Sequence, residues 1–270
     1  MIHCKLHGRL GNNMFAIATG LSLAKKLNTS LTIGKTTLAG HRGEIPVDLS
    51  FLDYPFNQIE TPSLDFTYNE PTLHFTPIDI QDNTIVSGIF GSWKYFEEIK
   101  EELCSTYFTP SNEIIRKLKK YGVSSNALGI SVRRGDFLML QQNHCVLSIE
   151  YYQEVINNYF QNNIDSIYIF SDDIEWCKSV FGDDVFYVND TVGTQLFLMT
   201  KMKHLIMSNS TFAWWGAYLN QNEGIIVAPD PWLGQAYDHE NTNDIYYPSW
   251  VKQKHIRIFQ EYTINNNFFN

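Results

Sequence analysis

Hydrophobic and polar positions in the second half of the chain switch between two periods. Ala127 to Val132 (ALGISV) is a short apolar run with β-branched residues, the pattern of a buried strand. It precedes IEYYQEVINNYF, whose apolar positions recur at helical spacing after Ser148, a residue type that caps helix starts. Ser166 to Phe170 (SIYIF) predicts the next strand, Glu175 to Val180 a short helix, Val185 to Val188 a strand and Thr194 to Met202 a helix. HLIMS and GIIVA add two strands, separated by TFAWWGAYLNQ. Strands alternating with helices imply parallel strands joined by right-handed helical crossovers, a Rossmann-like layer.

The first half begins in the same way. Ile2 to Leu6 predicts a strand, Gly8 to Asn13 a glycine-rich turn, Met14 to Leu27 an apolar-striped helix and Leu31 to Ile33 a second strand. From Gly34 to about Thr84 the pattern breaks into Pro-, Gly- and aromatic-rich sequence with no assignable element. TIVSGIF and KYFEEIKEEL restore a strand and a helix. Gly and Ser cluster at Tyr121 to Asn126, which divides the α/β chain into an expected N-terminal lobe, 1–125, and a C-terminal Rossmann-like lobe, 126–270. The polar tail ending in NNNFFN reads as frayed.

Composition narrows the function classes. The 270 residues carry a formal charge of -9, which excludes a sequence-independent nucleic-acid binder, because that role needs a large positive surface to displace counterions. Any phosphate ligand must therefore meet local positive charge. No apolar run approaches the roughly 20 residues of a membrane span, and MIHCKLHGRLGNNMF lacks the apolar region of a signal peptide. The expected location is cytoplasmic, with the inner face of the membrane left open. Cys4, Cys104, Cys145 and Cys177 are scattered without a C-x-x-C pair, which suits reduced thiols and predicts no metal site. Aromatic residues make up 14%, a share that serves sugar stacking as well as core packing.

Ligands of open parallel sheets bind at the carboxyl ends of strands, so four loops carry the candidate chemistry. In HGRLGNNMF, Gly8 and Gly11 bracket Arg9 and the helix opens near Asn12 and Asn13. That is either an anion site at a helix start or only a tight strand-to-helix turn. In SVRRGDF, Arg133 and Arg134 stand at a strand end with Asp136. The arginine forks suit a phosphate bidentately, and the alternative is an Asp136–arginine pair across the turn. In FSDDIEW, Asp172 or Asp173 either caps the next helix or accepts the N1–H and N2–H donors of a guanine. In MSNSTFAWWGA, Ser208, Asn209, Ser210 and Thr211 crowd one helix start. Capping needs one of them, and the excess suggests a second anion site. Trp214 and Trp215 read as core or wall.

In this order, the segments G-R-L-G-N-N-M-F, G-I-F-G-S-W-K-Y-F (Gly88 to Phe96), V-R-R-G-D-F and S-N-S-T-F-A-W-W-G-A resemble the motifs of the α-1,2-fucosyltransferases of glycosyltransferase family eleven. The resemblance runs from residue 1 to about 250, through D-I-Y-Y-P-S-W at Asp244 to Trp250. It implies two facing Rossmann-like lobes of GT-B-like architecture, with the acceptor on the N-terminal side and GDP-fucose in the C-terminal lobe. It also implies inverting transfer to the 2-hydroxyl of a galactose-terminated oligosaccharide or glycolipid-linked glycan, without a metal or other cofactor. By resemblance, Asn12 and Arg133 act at the donor diphosphate with Gly11 and Arg134 alongside, and Ser210 and Thr211 hold phosphate or fucose. The family has His at the position of Ser131, a residue that cannot stack on a base.

Transfer places negative charge on the departing GDP and oxocarbenium character on the sugar, so cations at the β-phosphate stabilise the transition state more than the ground state. For a general base the sequence offers Asp136, Glu44, Asp48 and His7 as alternatives, or none. Two other readings are a GDP-fucose-dependent transferase of α-1,6 or protein O-linkage and a non-catalytic glycan-binding module.

Overall fold

The computed structural model describes residues 1–38, 43–161 and 164–260. The tail ending in NNNFFN lies outside the described residues. The chain divides into two compact units, Met1–Lys117 with Glu240–Tyr247, and Leu118–His239 with Pro248–Asn270. The division falls at 117/118 rather than 125/126, and a segment from late in the sequence returns to the first unit. Specific contacts hold it there. Asp244 accepts the backbone N–H of Phe75 at 3.1 Å and pairs with Lys94 at 2.5 Å, and the Trp93 indole donates to the Tyr246 carbonyl at 3.1 Å.

The first unit is built on β1 (Ile2–His7), α1 (Leu10–Lys26), β2 (Leu31–Leu38), β3 (Glu44–Pro46), β4 (Gln58–Ile59), β5 (Phe66–Asn69) and β6 (Thr84–Ser87). Its sheet runs β3-β2-β1-β6-β5 with β4 beside β2, all parallel except the β2–β3 pair. Ile2, Cys4 and Leu6 of β1 are buried, and α1 packs close because Gly20 has no side chain. A Cβ there would lie 2.2 Å from the Cys4 sulfur. The sequence pattern within 34–84 failed because its strands are short and separated by long loops. The expected strand TIVSGIF stops at Ser87, since Phe90 takes φ +53°. The expected helix KYFEEIKEEL is broken into turns around a three-residue α2 (Lys100–Glu102). Breaking it lets adjacent buried rings face different partners, Tyr95 against Phe75 and Phe90, and Phe96 against Phe15.

After α3 (Asn112–Leu118), the second unit follows the predicted alternation: β7 (Ala127–Val132), α4 (Ile149–Tyr159), β8 (Ser166–Ser171), α5 (Ile174–Phe181), β9 (Phe186–Tyr187), α6 (Val192–Met199), β10 (His204–Ile206), α7 (Thr211–Tyr218), β11 (Ile226–Asp230) and β12 (Val251–Lys254). Its sheet is wholly parallel in the order β12-β11-β10-β7-β8-β9. Every residue of β7 is buried, as expected of a central strand covered on both faces. Full burial of Leu128 or Ile130 contributes about 1.5–3 kcal/mol each. Asp173, Thr191 and Ser210 cap α5, α6 and α7 with their side chains, whereas Ser148 occupies the cap position of α4 without a side-chain cap bond. Trp214 and Trp215 are fully buried core.

Both sheets contain a point where the strand order reverses, between β1 and β6 in the first and between β7 and β10 in the second. The carboxyl ends of strands flanking such a point form the crevice in which open α/β sheets bind ligands.

Candidate active site

In the second unit, the arginine segment leaves β7, the two aspartates leave β8, and the Ser-Asn-Ser-Thr segment leaves β10, so three neighbouring parallel strands deliver them to one end of the sheet. Arg133 Nη1 donates to Asp172 Oδ2 at 2.5 Å and Nη2 donates to Asp136 Oδ1 at 2.5 Å. Asp172 turns its other oxygen to the backbone N–H of Arg134, at 2.9 Å. Gly135 makes this closeness possible, since a Cβ there would lie 2.3 Å from Asp172 Oδ2. The arginine fork is thus positioned by two loops at once. Two of its five N–H bonds are committed, and the side chain keeps 17% of its accessible surface.

Arg134 is more enclosed, with an 8% exposed side chain. Its Nε donates to Asp173 at 3.1 Å, its Nη1 to Gln260 Oε1 at 2.5 Å, and its guanidinium carbon lies 4.0 Å from the Trp176 ring centroid. A guanidinium stacked and bonded in this way is a rigid part of the wall. Asp173 both pairs with Arg134 and caps α5 through Trp176 N–H at 3.2 Å. Sequence reasoning missed Trp176 and Gln260. Trp176 follows a cap by three residues, a readable signal, but nothing marks Gln260, which arrives from the far end of the chain.

Ser208 and Asn209 are the buried pair of the four polar residues at this helix start. The Ser208 hydroxyl meets that of Ser131 at 2.9 Å across the β7–β10 boundary, both residues buried, and Asn209 donates to the Trp232 carbonyl at 2.9 Å. The two serines satisfy one another inside the core, whereas Asn209 Oδ1 is buried without a hydrogen-bond partner among the described residues. Ser210 caps α7 through Phe212 N–H at 3.2 Å, and it and Thr211 are the partly exposed pair of the four. Phe137 packs flat on His144, with centroids 4.1 Å apart, and burial lowers the His144 pKa. Asp136 raises it less, and Arg133 adds a small lowering.

Gly11 and Asn12 belong to the first unit. Gly8 takes φ +76°, and a Cβ on it would lie 2.4 Å from Asn12 Nδ2, so the turn after β1 closes directly on the Asn12 side chain. No side chain caps the start of α1. Among the alternative bases, His7 bonds Ser87 Oγ at 2.8 Å, Asp48 accepts Ser50 N–H at 2.9 Å, and Glu44 accepts from Thr36 at 3.3 Å.

The profile of Glycosyl transferase family 11 matches residues 1–254. The chain belongs to this family. It is 28% identical to the alpha-1,2-colitosyltransferase of Escherichia coli, over 93% of this chain and 98% of that protein. It is 27% identical to galactoside alpha-(1,2)-fucosyltransferase 1 of Mus musculus, over 90% of this chain and 70% of that one. Among solved structures, the alpha-1,6-fucosyltransferase NodZ soaked with GDP-fucose superposes with a TM-score of 0.52 at 15% identity, covering 81% of this chain and 91% of NodZ. That likeness is one of fold: α/β, with two mostly parallel sheets and helical crossovers, as expected. The protein is a glycosyltransferase. Among the described residues, no helix is long and apolar enough to cross a membrane, no cluster of three or more His, Cys, Asp or Glu is placed to hold a metal ion, and the four cysteines are free thiols.

Proposed function

We propose that this family 11 chain transfers L-fucose from GDP-fucose, with inversion, to the 2-hydroxyl of a terminal galactose on an oligosaccharide or glycolipid-linked glycan. The observation that carries the reading is the Arg133 fork, held at the carboxyl end of β7 by Asp172 and Asp136 with donors still to offer. The α-1,2 linkage named for both the colitosyl and the fucosyl relatives supports the 2-hydroxyl, and the galactoside relative supports the acceptor class.

The two arginines face three carboxylates, so the unliganded cluster is not an excess of positive charge. Asp172 and Asp173 retain lone pairs that suit the N1–H and N2–H donors of guanine. A guanine drawing on Asp172 would release N–H capacity of Arg133 to the β-phosphate, where negative charge grows as the glycosidic bond breaks. Ser210 and Thr211 at the α7 start add donors for the same anion. Asp136 acts as the arginine's partner rather than as a base. An oxocarbenium-like sugar is attacked by a weakly activated hydroxyl, and arginine charge takes the place of a divalent cation. The reading puts the enzyme in the cytoplasm, or at the inner face of the membrane if its acceptor is lipid-linked.

A colitosyl donor is the second reading, favoured by the E. coli relative aligned over nearly the whole chain. Incubation of the protein with GDP-fucose and a panel of galactosides, followed by linkage analysis, tests the proposal. An α-1,2-fucosylated product is the expected result. Thermal shift by GDP but not by ADP or UDP is the matching binding result, since a ligand of the native state raises the melting temperature. No product and no shift by GDP would remove it.

A further inference from the structure

Glu70 follows β5 in the first unit and reaches the loop that leaves β6. Its Oε2 accepts two backbone N–H groups, from Ile89 at 2.8 Å and from Phe90 at 2.7 Å. The approach is close: a Cβ on Gly88 would lie 2.5 Å from the Glu70 Cβ. Phe90 is fully buried and takes φ +53°, a left-handed conformation that is rare for a bulky residue. Backbone held in such a state persists where its surroundings over-determine it, and such positions cluster at functional sites. Here the surroundings are a carboxylate making two charge-assisted bonds and the edge of Tyr95, whose ring lies 5.5 Å from that of Phe90.

The place of this clamp matters. β1 and β6 flank the reversal of strand order in the first sheet, so the glycine turn after β1 and the Gly88–Ser92 loop after β6 are the two sides of its crevice. A hydrogen bond between His7 and Ser87 joins them at their base. A carboxylate is a costly means of shaping a loop: burial pushes the Glu70 pKa up, against the lowering by the Phe90 and Ile89 N–H groups and the Tyr95 hydroxyl. A loop needed only as a connection would reach the same place through an ordinary turn.

We propose that Glu70 is a positioning residue of the transfer reaction, fixing the Gly88–Ser92 loop as the wall against which the acceptor sugar is aligned. The inference rests on the fucosyltransferase reading for the identity of the substrates, but not for the role of the clamp. In Glu70→Ala the oxygen that receives both N–H groups is gone, so the loop relaxes. A displacement of about 1 Å lowers turnover by up to about 100-fold.

The test compares wild type and Glu70→Ala in kcat, acceptor KM and GDP affinity, each per folded molecule, with the wild-type donor established first. If wild type uses another nucleotide sugar, the fucosyl reading fails and the comparison proceeds with that donor. The expected result is a 10- to 100-fold fall in kcat with acceptor KM raised and GDP affinity within two-fold. Tyr95→Phe, which withdraws a hydroxyl neighbour of the carboxylate, serves where Glu70→Ala folds poorly and is expected to lower kcat several-fold. Normal turnover by folded variants, with only the melting temperature lowered, would make Glu70 a structural residue. An equal loss of GDP affinity would also overturn the proposal.

Discussion

The guanidinium of Arg133 joins two loops through its hydrogen bond to Asp172, 39 residues away in sequence and 2.5 Å away in space. That bond and the one to Asp136 separate what the arginine does for the fold from what it does for the reaction. Replacement by Ala removes both and leaves two carboxylates that are each about a quarter exposed, so the loss of stability should be about 1–2 kcal/mol, below the 3–5 kcal/mol of a fully buried pair. If the fork stabilises the leaving phosphate, kcat should fall about 100- to 1,000-fold per folded molecule, with a smaller effect on donor KM. Lys keeps the charge but not the fork and should fall between. Steady-state kinetics beside denaturant unfolding checks both effects, and near-normal turnover by folded Arg133→Ala would remove this residue from the mechanism.

Gly135→Ala probes the same relationship without touching a charge. The added methyl would collide with the Asp172 carboxylate, the far end of a flexible side chain, so the fold should survive while Asp172 is displaced from both Arg133 and the Arg134 N–H. GDP affinity is expected to drop about 10-fold or more, since a carboxylate moved off its arginine removes a hydrogen bond to a charged group worth about 1.5–3 kcal/mol. Calorimetric titration with GDP reads it. Unchanged affinity would show that Asp172 has no part in holding the fork for its ligand.

Activity should persist in excess EDTA and should not rise with Mg²⁺ or Mn²⁺, because the proposal assigns the neutralisation of the diphosphate to arginine and to helix N–H groups. Loss of turnover on chelation, restored by added metal, would overturn that assignment.

Much of the second unit was legible in the sequence because its central strand is buried on both faces and α4 and α5 are amphipathic, so hydrophobic periods mark them: ALGISV is β7 to the residue. The arginine and aspartate loops could be located because strand ends were. What each side chain does there was not legible. Ser208 and Ser131 are polar residues in a helix-start and a strand-end motif, and only the adjacency of β10 to β7 shows that they satisfy one another. Gln260 and the Glu240–Tyr247 segment act through contacts more than 100 residues distant, for which a linear pattern carries no signal. Glu70 lay in the stretch where no element could be assigned, and its partners are backbone N–H groups, which no side-chain motif announces.

Acid should weaken the first unit through His3. This residue is fully buried in β1. Its Nδ1 lies 3.0 Å from the Thr32 hydroxyl, and its Nε2 has no hydrogen-bond partner. Burial lowers its pKa from 6.5, because a charged imidazolium there would be desolvated and unpaired. The unfolded chain therefore binds a proton more readily than the folded one. The stabilising contribution of neutral His3 is complete above pH 6.5 and is lost as pH falls from 6.5 towards the lowered folded value. The slope from this one group reaches at most about 1.4 kcal/mol per pH unit. Burial lowers His7, His144 and His204 as well, aided by Lys5 at His7 and Lys203 at His204, and across the whole chain they add to the slope in the same direction. His3→Gln can keep a bond to Thr32 and cannot ionise. Its unfolding free energy, measured by urea titration between pH 7.5 and about 5, should fall less steeply than that of the wild type, and the two curves should converge at low pH relative to their separation at pH 7.5. Parallel curves across that range would mean that His3 does not titrate with folding, and the acid sensitivity would then belong to the other histidines.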